Sequence, residues 1–394
     1  MLAAASAAAQ SRGITEEAKV PPYTLPDPLV FADGKPVKSA AAWKRRRAEL
    51  LHIFETEIYG QVPPKPAGLH FELLEKDATV RRKQVRVYFS RAPKPYMDLL
   101  LYLPANAKGR VPIFLGLNFI GNQGVKDDPA IRVTEGWTSP HDAAKVRGVQ
   151  ASEWQVDRLL ARGYGLATAY YCEIEPDHDG AWKDGVRGLY PEPKADDWGA
   201  IGAWAWALMR AMDYLETDPD VDAHRVALMG HSRLGKTALY AGALDQRFAI
   251  VISNDSGAGG AALSKRIFGE TVADLNRVFP HWFCANFKKY SDHEPDLPVD
   301  QHELLALIAP RPLYVASAVE DLWADPKGEF LSALGADPVY RLLTHDGLPT
   351  KEMPAVDHAV MGRIGYHVRS GKHDVTAFDW DRYMDFADKF FHHQ

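Results

Sequence analysis

Ser232 sits in the run Val226-Ala-Leu-Met-Gly-His-Ser-Arg-Leu-Gly-Lys236, where an apolar stretch meets Gly230-His231-Ser232-Arg233-Leu234-Gly235 and passes straight into helix-forming sequence. A serine on a sharp strand-to-helix turn projects its hydroxyl above the sheet, and small flanking residues let the turn close. The helix behind it offers backbone N–H groups to a developing oxyanion. The second glycine falls at Ser+3 rather than the Ser+2 of the commoner G-x-S-x-G turn, and Arg233 fills the place after the serine. The chemistry implied is nucleophilic attack with a covalent intermediate. Such a serine needs a base, and the base needs an orienting carboxylate.

In the chain order Ser…acid…His, the histidine lies near the C-terminus, in a loop before the last helix. His373, in Ser370-Gly-Lys-His-Asp374, fits best. His358 and His367 are rivals, but His367 falls inside a strand-like run and His358 sits earlier; most of the 15 histidines are expected to be surface or structural. Two aspartates compete for the acid. Asp321 follows a strand at Pro312–Ala318, and Asp255 ends the strand after the nucleophile helix, in Ser253-Asn-Asp-Ser-Gly-Ala-Gly-Gly260. Either reaches the imidazole in principle, and either would serve equally as a helix cap or turn residue. Asn118-Phe119 ends a strand as an oxyanion-side loop would. The stretch Tyr171–Asp179 gathers Glu173, Glu175, Asp177 and His178; it reads as a polar loop rimming the cleft in preference to a metal loop, since no mechanistic step needs a metal.

The elements that must position these residues follow from periodicity. A helix is predicted at about Ala40–Tyr59, then strand-like runs at His70–Leu74, Gln84–Phe89 and Leu99–Leu103. Pro112–Phe119 and Tyr164–Tyr171 are continuous apolar runs, the pattern of strands buried on both faces of a mostly parallel sheet. Asp196–Leu215 is helical, with Trp198, Ile201, Ala205, Leu208, Met212 and Leu215 at three- and four-residue steps. Strand Arg225–Gly230, helix Leu234–Leu244, strand Phe248–Asn254, helix Gln301–Ile308, strand Pro312–Ala318, strand Ile364–Val368 and helix Trp380–Phe391 complete the alternation. The fold class is α/β, a three-layer sandwich with antiparallel strands at its start.

The 394 residues fit one large domain or two ordinary ones at ~150 residues each. Without repeats or a Gly/Ser linker, a single catalytic domain is expected at 20–394. Residues 1–19 would then be an N-terminal arm; MLAAASAAAQ reads either as the tail of a secretion signal or as an Ala-rich arm. With 46% hydrophobic and 25% charged residues the composition is that of a globular protein. A net charge of −6 argues against a nucleic-acid partner, and no stretch approaches the ~18 apolar residues of a membrane span. Two cysteines, Cys172 and Cys284, exclude a disulfide framework but leave a single bridge open. No cofactor is required, and a monomer is expected.

In combination, GHSRLGK, NDSGAGGA, Asp300-Gln-His-Glu-Leu-Leu-Ala-Leu-Ile-Ala-Pro-Arg-Pro312, Glu320-Asp-Leu-Trp-Ala-Asp-Pro326 and the terminal GKHDVTAFDWDRYMDFADKFF resemble the glucuronoyl esterases, carbohydrate esterase family 15, over roughly Pro112 to Phe391. The likeness is to the bacterial branch, because fungal members carry cysteine where this chain has His231. The resemblance implies an α/β-hydrolase fold and cleavage of the ester between 4-O-methyl-glucuronate side chains of xylan and lignin alcohols, with a secreted or periplasmic location. It implies Ser232 as nucleophile, His373 as base and Arg233 as an additional oxyanion donor. A cation is electrostatically disfavoured at a helix start, so Arg233 needs a reason to be there. The family's acid position is filled by Asp255, one methylene shorter than the usual glutamate, and some bacterial members carry a carboxylate at the place of Asp321; the balance leans to Asp321, with Asp255 as partner or substitute. Lys236 and Glu303 match residues that hold the sugar, and Trp323 a tryptophan near its 4-O-methyl group. The competing readings are another carbohydrate esterase, such as a xylan deacetylase, and a catalytically silent carbohydrate-binding scaffold.

Overall fold

Alternate residues of the central strands face opposite layers of apolar side chains, and this two-sided burial organises the chain. The computed structural model describes residues 13–138 and 146–391. Ten strands form one sheet: β1 His70–Asp77, β2 Arg82–Tyr88, β3 Tyr96–Tyr102, β4 Val111–Asn118, β5 Gly165–Tyr170, β6 Val221–His231, β7 Ile250–Asn254, β8 Leu313–Ala318, β9 Val360–Met361 and β10 Ile364–Arg369. Their order is β1-β2-β3-β5-β4-β6-β7-β8-β10-β9. From β5 to β10 the neighbours are parallel, while β1, β2 and β3 join antiparallel at one edge and β9 at the other. The outermost long strand, β1, is largely exposed and carries Glu72, Glu75, Lys76 and Asp77, charges that discourage edge pairing with another chain.

Val226 and Leu228 of β6 enter one apolar layer, with Ile113, Leu115 and Leu117 of β4 and Val315 of β8. The helices Ala40–Ile53, Ala200–Leu215, Arg233–Leu244 and Pro326–Thr344 supply the other side of that layer. Ala227 and Met229 face the opposite layer, made by Trp154, Leu159 and the helix Ala377–Phe391 through Trp380, Tyr383 and Phe386. The expected α/β-hydrolase architecture of three layers is thus present.

Several boundaries move. The predicted helix 40–59 ends at Ile53 and continues as a wider turn, Phe54–Ile58. The helix expected from Asp196 starts at Ala200, after Gly199, whose Cβ would lie 2.3 Å from the Trp282 carbonyl oxygen. The nineteen-residue helix Pro326–Thr344 has no counterpart in the sequence reading; Pro338 lies within it and obscures its period. Residues 1–12 of the expected arm lie outside the described residues, but Ile14 bridges to Phe268, and Glu17 pairs with Arg266 and Lys327 at 2.8 Å each.

All the strands that matter for chemistry end on one edge: β6 at Ser232, β7 at Asp255, β8 just before Asp321 and β10 just before His373, as open α/β sheets place their sites. Ser232 adopts φ 56°, ψ −130°, the strained turn between β6 and its helix. A Cβ on Gly230 would lie 2.0 Å from the Leu234 carbonyl oxygen, and one on Gly235 2.9 Å from the Ser256 Cβ. The glycine at Ser+3 is therefore the contact point between the nucleophile helix and the end of β7. Gly230→Ala is expected to cost about 1–3 kcal/mol in chemical denaturation, the range for forced overpacking, whereas Gly34→Asn, at a left-handed position with open space around it, should cost less than about 1 kcal/mol.

Candidate active site

The turn after β6 is held in place by backbone bonds before any side chain acts. The Ser232 N–H donates to the Asn254 carbonyl at 2.9 Å, and the Ser232 carbonyl accepts from Gly235 at 2.8 Å. His231, at the end of β6, donates from Nδ1 to the Asn254 side chain at 2.6 Å and lies against the ring of His373, centroids 4.4 Å apart. Burial, then the nearby His373, push the His231 imidazole well below its ordinary pKa, so it packs as a neutral ring.

His373 Nδ1 lies 2.6 Å from Asp321 Oδ2. The other candidate acid, Asp255, makes no hydrogen bond to the histidine. Its Oδ2 accepts from Arg369 at 3.3 Å and from the Asp374 N–H at 3.4 Å, and its buried Oδ1 is without a partner. Ligand-capable atoms of Asp255, Asp321 and His373 nevertheless fall within 4.8 Å of one another. Burial first, then the neighbouring carboxyl groups of Asp321 and Glu329, raise the Asp255 carboxyl well above the ordinary range. The two carboxyl groups thus differ in their partners: Asp321 bonds the imidazole, and Asp255 is a fully buried neighbour whose carboxyl is pushed toward its neutral form. The rival histidines go elsewhere. His367 is buried between Tyr314 and Asp379, and His358 turns back on the Val356 carbonyl.

Arg233 pairs with Asp177, so the loop Tyr171–Asp179 does reach the cleft through one carboxylate. Of its other acids, Glu175 turns to Arg187 and Glu173 to Thr134, while Asp179 is exposed. The Arg233 side chain is 27% exposed, and its guanidinium carbon lies 5.0 Å from the Trp282 ring centre and 5.8 Å from that of Phe119. Asn118 has a structural role, donating to Asn122 and Thr168, whereas Phe119 faces the site.

The sugar-binding expectation needs one correction. Glu303 is fully buried, caps its own helix with Asp300 and pairs with Arg46 at 3.2 Å, so it is spent on the fold. The carboxylate partner of Lys236 is instead Glu270, at 2.8 Å, which also accepts from Trp323 Nε1 at 3.3 Å. Lys236 is buried, and its remaining donors go to the Ser256 and Ala258 carbonyls at 2.8 and 2.5 Å. The only trace of Glu270 in the sequence is the glycine before it. Gly269 has φ +65°, a Cβ there would lie 2.4 Å from the Trp323 carbonyl oxygen, and Glu270 N donates to that same oxygen. Both cysteines are buried and free.

Beneath the site, Glu329 accepts from the Ser256 and Gly257 N–H groups at 2.8 and 3.1 Å and from Ser317 at 2.5 Å. Burial pushes its carboxyl up to about 8 from 4.5, with Asp321 adding to the rise. The folded chain therefore keeps a proton that the unfolded chain releases as pH rises from 4.5, and this group's contribution to stability is lost as pH rises through about 8. Glu329→Gln, whose amide can make the same contacts, should flatten the fall in denaturation midpoint between pH 5 and 8; an unchanged slope would show that Glu329 is ionised in the native state.

Known proteins match both the sequence and the geometry. The family model for "Glucuronyl esterase, fungi" matches residues 182–344. Carbohydrate esterase MZ0003, from an unknown prokaryotic organism, is 50% identical over 96% of this chain and 93% of its own. The solved glucuronoyl esterase from Solibacter usitatus is 52% identical with a TM-score of 0.90, covering 94% of this chain and 99% of its own. A solved structure described as a promiscuous CE15 esterase from the marine bacterial metagenome is 49% identical, also with a TM-score of 0.90, covering 95% and 99%. Among the described residues, no helix is long and apolar enough to cross a membrane.

Proposed function

The chain belongs to carbohydrate esterase family 15, the glucuronoyl esterases, and from that premise we propose that it is a serine esterase hydrolysing the ester between 4-O-methyl-glucuronate side chains of glucuronoxylan and lignin alcohols, acting outside the cytoplasm. The observation that carries the reading is the 2.6 Å bond between His373 and Asp321 beside the residue preceding Ser232. Asp321 holds Nδ1–H, which leaves Nε2 as the base. Ser232 Oγ attacks the uronoyl carbonyl as Nε2 takes its proton, and the carbonyl oxygen becomes an oxyanion. Backbone N–H groups at the helix start and the Arg233 guanidinium stabilise that charge. Collapse of the tetrahedral species breaks the bond to the alcohol, which leaves with the proton from His373. Water, deprotonated by the same histidine, then attacks the acyl-enzyme and frees the glucuronate and Ser232.

Glu270 and Trp323 form the uronate-facing wall, a carboxylate for sugar hydroxyls beside a partly exposed flat ring, with Lys236 behind them fixing the carboxylate. An acetyl ester has no sugar acid to meet that wall, which favours uronate esters over acetylated xylan.

Benzyl glucuronate and acetylated xylan, offered to wild type and variants, test this. Wild type should release benzyl alcohol, and Ser232→Ala should abolish release. Asp321→Asn should lower kcat by about 10⁴, the scale for a lost triad acid, while Asp255→Asn, replacing a carboxyl that burial pushes toward its neutral form, should keep most of the rate. Glu270→Gln should raise KM for the uronate ester more than it lowers kcat. Turnover of acetate alone would replace the proposal with a deacetylase.

A further inference from the structure

Arg233 is surrounded in a way its catalytic role alone does not require. Asp177, whose side chain is only 4% exposed, gathers four donors. Its Oδ2 takes Arg233 Nη1 and the Tyr171 hydroxyl at 3.1 Å, and its Oδ1 takes His281 Nε2 at 2.8 Å and Trp282 Nε1 at 2.7 Å. Burial works against the charged form of this carboxylate, but Arg233, His281 and Trp282 outweigh it and hold its pKa well below the usual range. Trp282 acts twice: its N–H fixes Asp177, and its face lies 5.0 Å from the Arg233 guanidinium carbon. Phe279 stacks on Trp282 with centroids 3.7 Å apart and lies 5.6 Å from the same carbon. With Nη1 anchored, Arg233 Nε–H is buried and has no protein partner. Such a buried donor is costly to leave unpaired, and the fold tolerates it where it holds the guanidinium in this one position.

We propose that Asp177, fixed by His281 and Trp282, is a positioning residue that aims the Arg233 guanidinium at the oxyanion. The argument rests on Arg233 acting at the oxyanion. An arginine side chain carries about 2 kcal/mol of rotamer freedom, and a free one would have to surrender it as charge develops. The clamp removes that freedom beforehand, which is the condition under which a donor stabilises a transition state without reorganising. Asp177 also offsets part of the guanidinium charge. The gain in placement must exceed that loss, so the proposal predicts a fall in rate when the carboxylate is removed, whereas a purely screening carboxylate predicts a rise. The interaction matures as the carbonyl becomes an oxyanion, so the loss belongs in kcat with KM little changed.

The test is a double-mutant cycle on benzyl glucuronate turnover, with folding checked by thermal unfolding. Arg233→Ala should lower kcat on the order of 10²–10³-fold, as for loss of an oxyanion donor, and Asp177→Ala by about 10–100-fold. Asp177→Glu should recover part of the loss. In the Arg233→Ala background, Asp177→Ala should cost nothing further. Should Asp177→Ala fail to fold, Asp177→Asn decides, since it keeps the shape of the side chain and replaces one acceptor oxygen by an NH2; a fall in kcat that vanishes without Arg233 supports the clamp. Undiminished or raised kcat, or losses that simply add in the double variant, overturn it. Full activity of Arg233→Ala would overturn the oxyanion role and the clamp together, while wild-type turnover with Ser232 intact reports separately on the esterase reading.

Discussion

The reversal between β6 and the helix Arg233–Leu244 is the constraint around which the site is built. The chain turns so tightly that neither Gly230 nor Gly235 has space for a side chain, and Ser232 is left at φ 56°. A non-glycine residue holds that backbone only where the surroundings over-determine it. Here they do: Ser232 N–H is tied to Asn254, and Gly235 is pressed against Ser256. The end of β7 is thus a partner in the nucleophile turn, and its next residues, Asp255 and Ser256, inherit their places from it. Asp255 is itself at φ 44°, so two strained residues lie side by side at the same sheet edge.

A second layer of buried charge steadies the other half of the site. Asp379 accepts from His367 at 2.8 Å, from Arg369 Nε at 2.9 Å and from the Thr376 N–H at 2.7 Å. Arg369 reaches onward to Asp255 and to the Asp374 carbonyl, which frames the loop carrying His373. Asn254 closes the circuit, donating to Tyr383 at 2.8 Å while accepting from His231, the ring on which His373 rests. Buried networks of this kind are stable only when nearly every member is satisfied. The unpaired Asp255 Oδ1 is an exception within it, and Asp255 lies beside Asp321 and His373.

What the sequence made legible was contiguous. The nucleophile turn, with strand, serine and helix in eleven residues, carries its own geometry, and the loop histidine before the final helix follows from chain order. The alternating strands and helices likewise announced the sheet, because burial on both faces leaves unbroken apolar runs. Contacts made between distant segments were not legible. Glu303 and Glu270 are both acids near helix starts, and only the fold reveals that the first is consumed by Arg46 and its own cap while the second meets Lys236 and Trp323. The resemblance placed the sugar-facing carboxylate at Glu303, which the fold buries, whereas Glu270 is the carboxylate beside Lys236 and Trp323. The helix Pro326–Thr344 escaped because its proline suggests a break, although tertiary packing of Phe330, Ala333, Ala336 and Val339 carries the helix through it.

The choice between two acids shows why proximity alone does not assign a role. Asp255 and Asp321 both lie close to His373, and a distance criterion would admit either. An imidazole that becomes a cation during the reaction needs a partner that is already an anion and is bonded to it. Two adjacent carboxylates cannot both remain charged in a buried pocket, so one must take a proton. Asp255 is the more buried of the two and faces the Glu329 and Asp321 carboxyl groups, which push it toward its neutral form despite Arg369 alongside. Asp321 projects from the loop after β8 toward a histidine that is 42% exposed, and its direct bond to Nδ1, which Asp255 lacks, is what favours it as the acid.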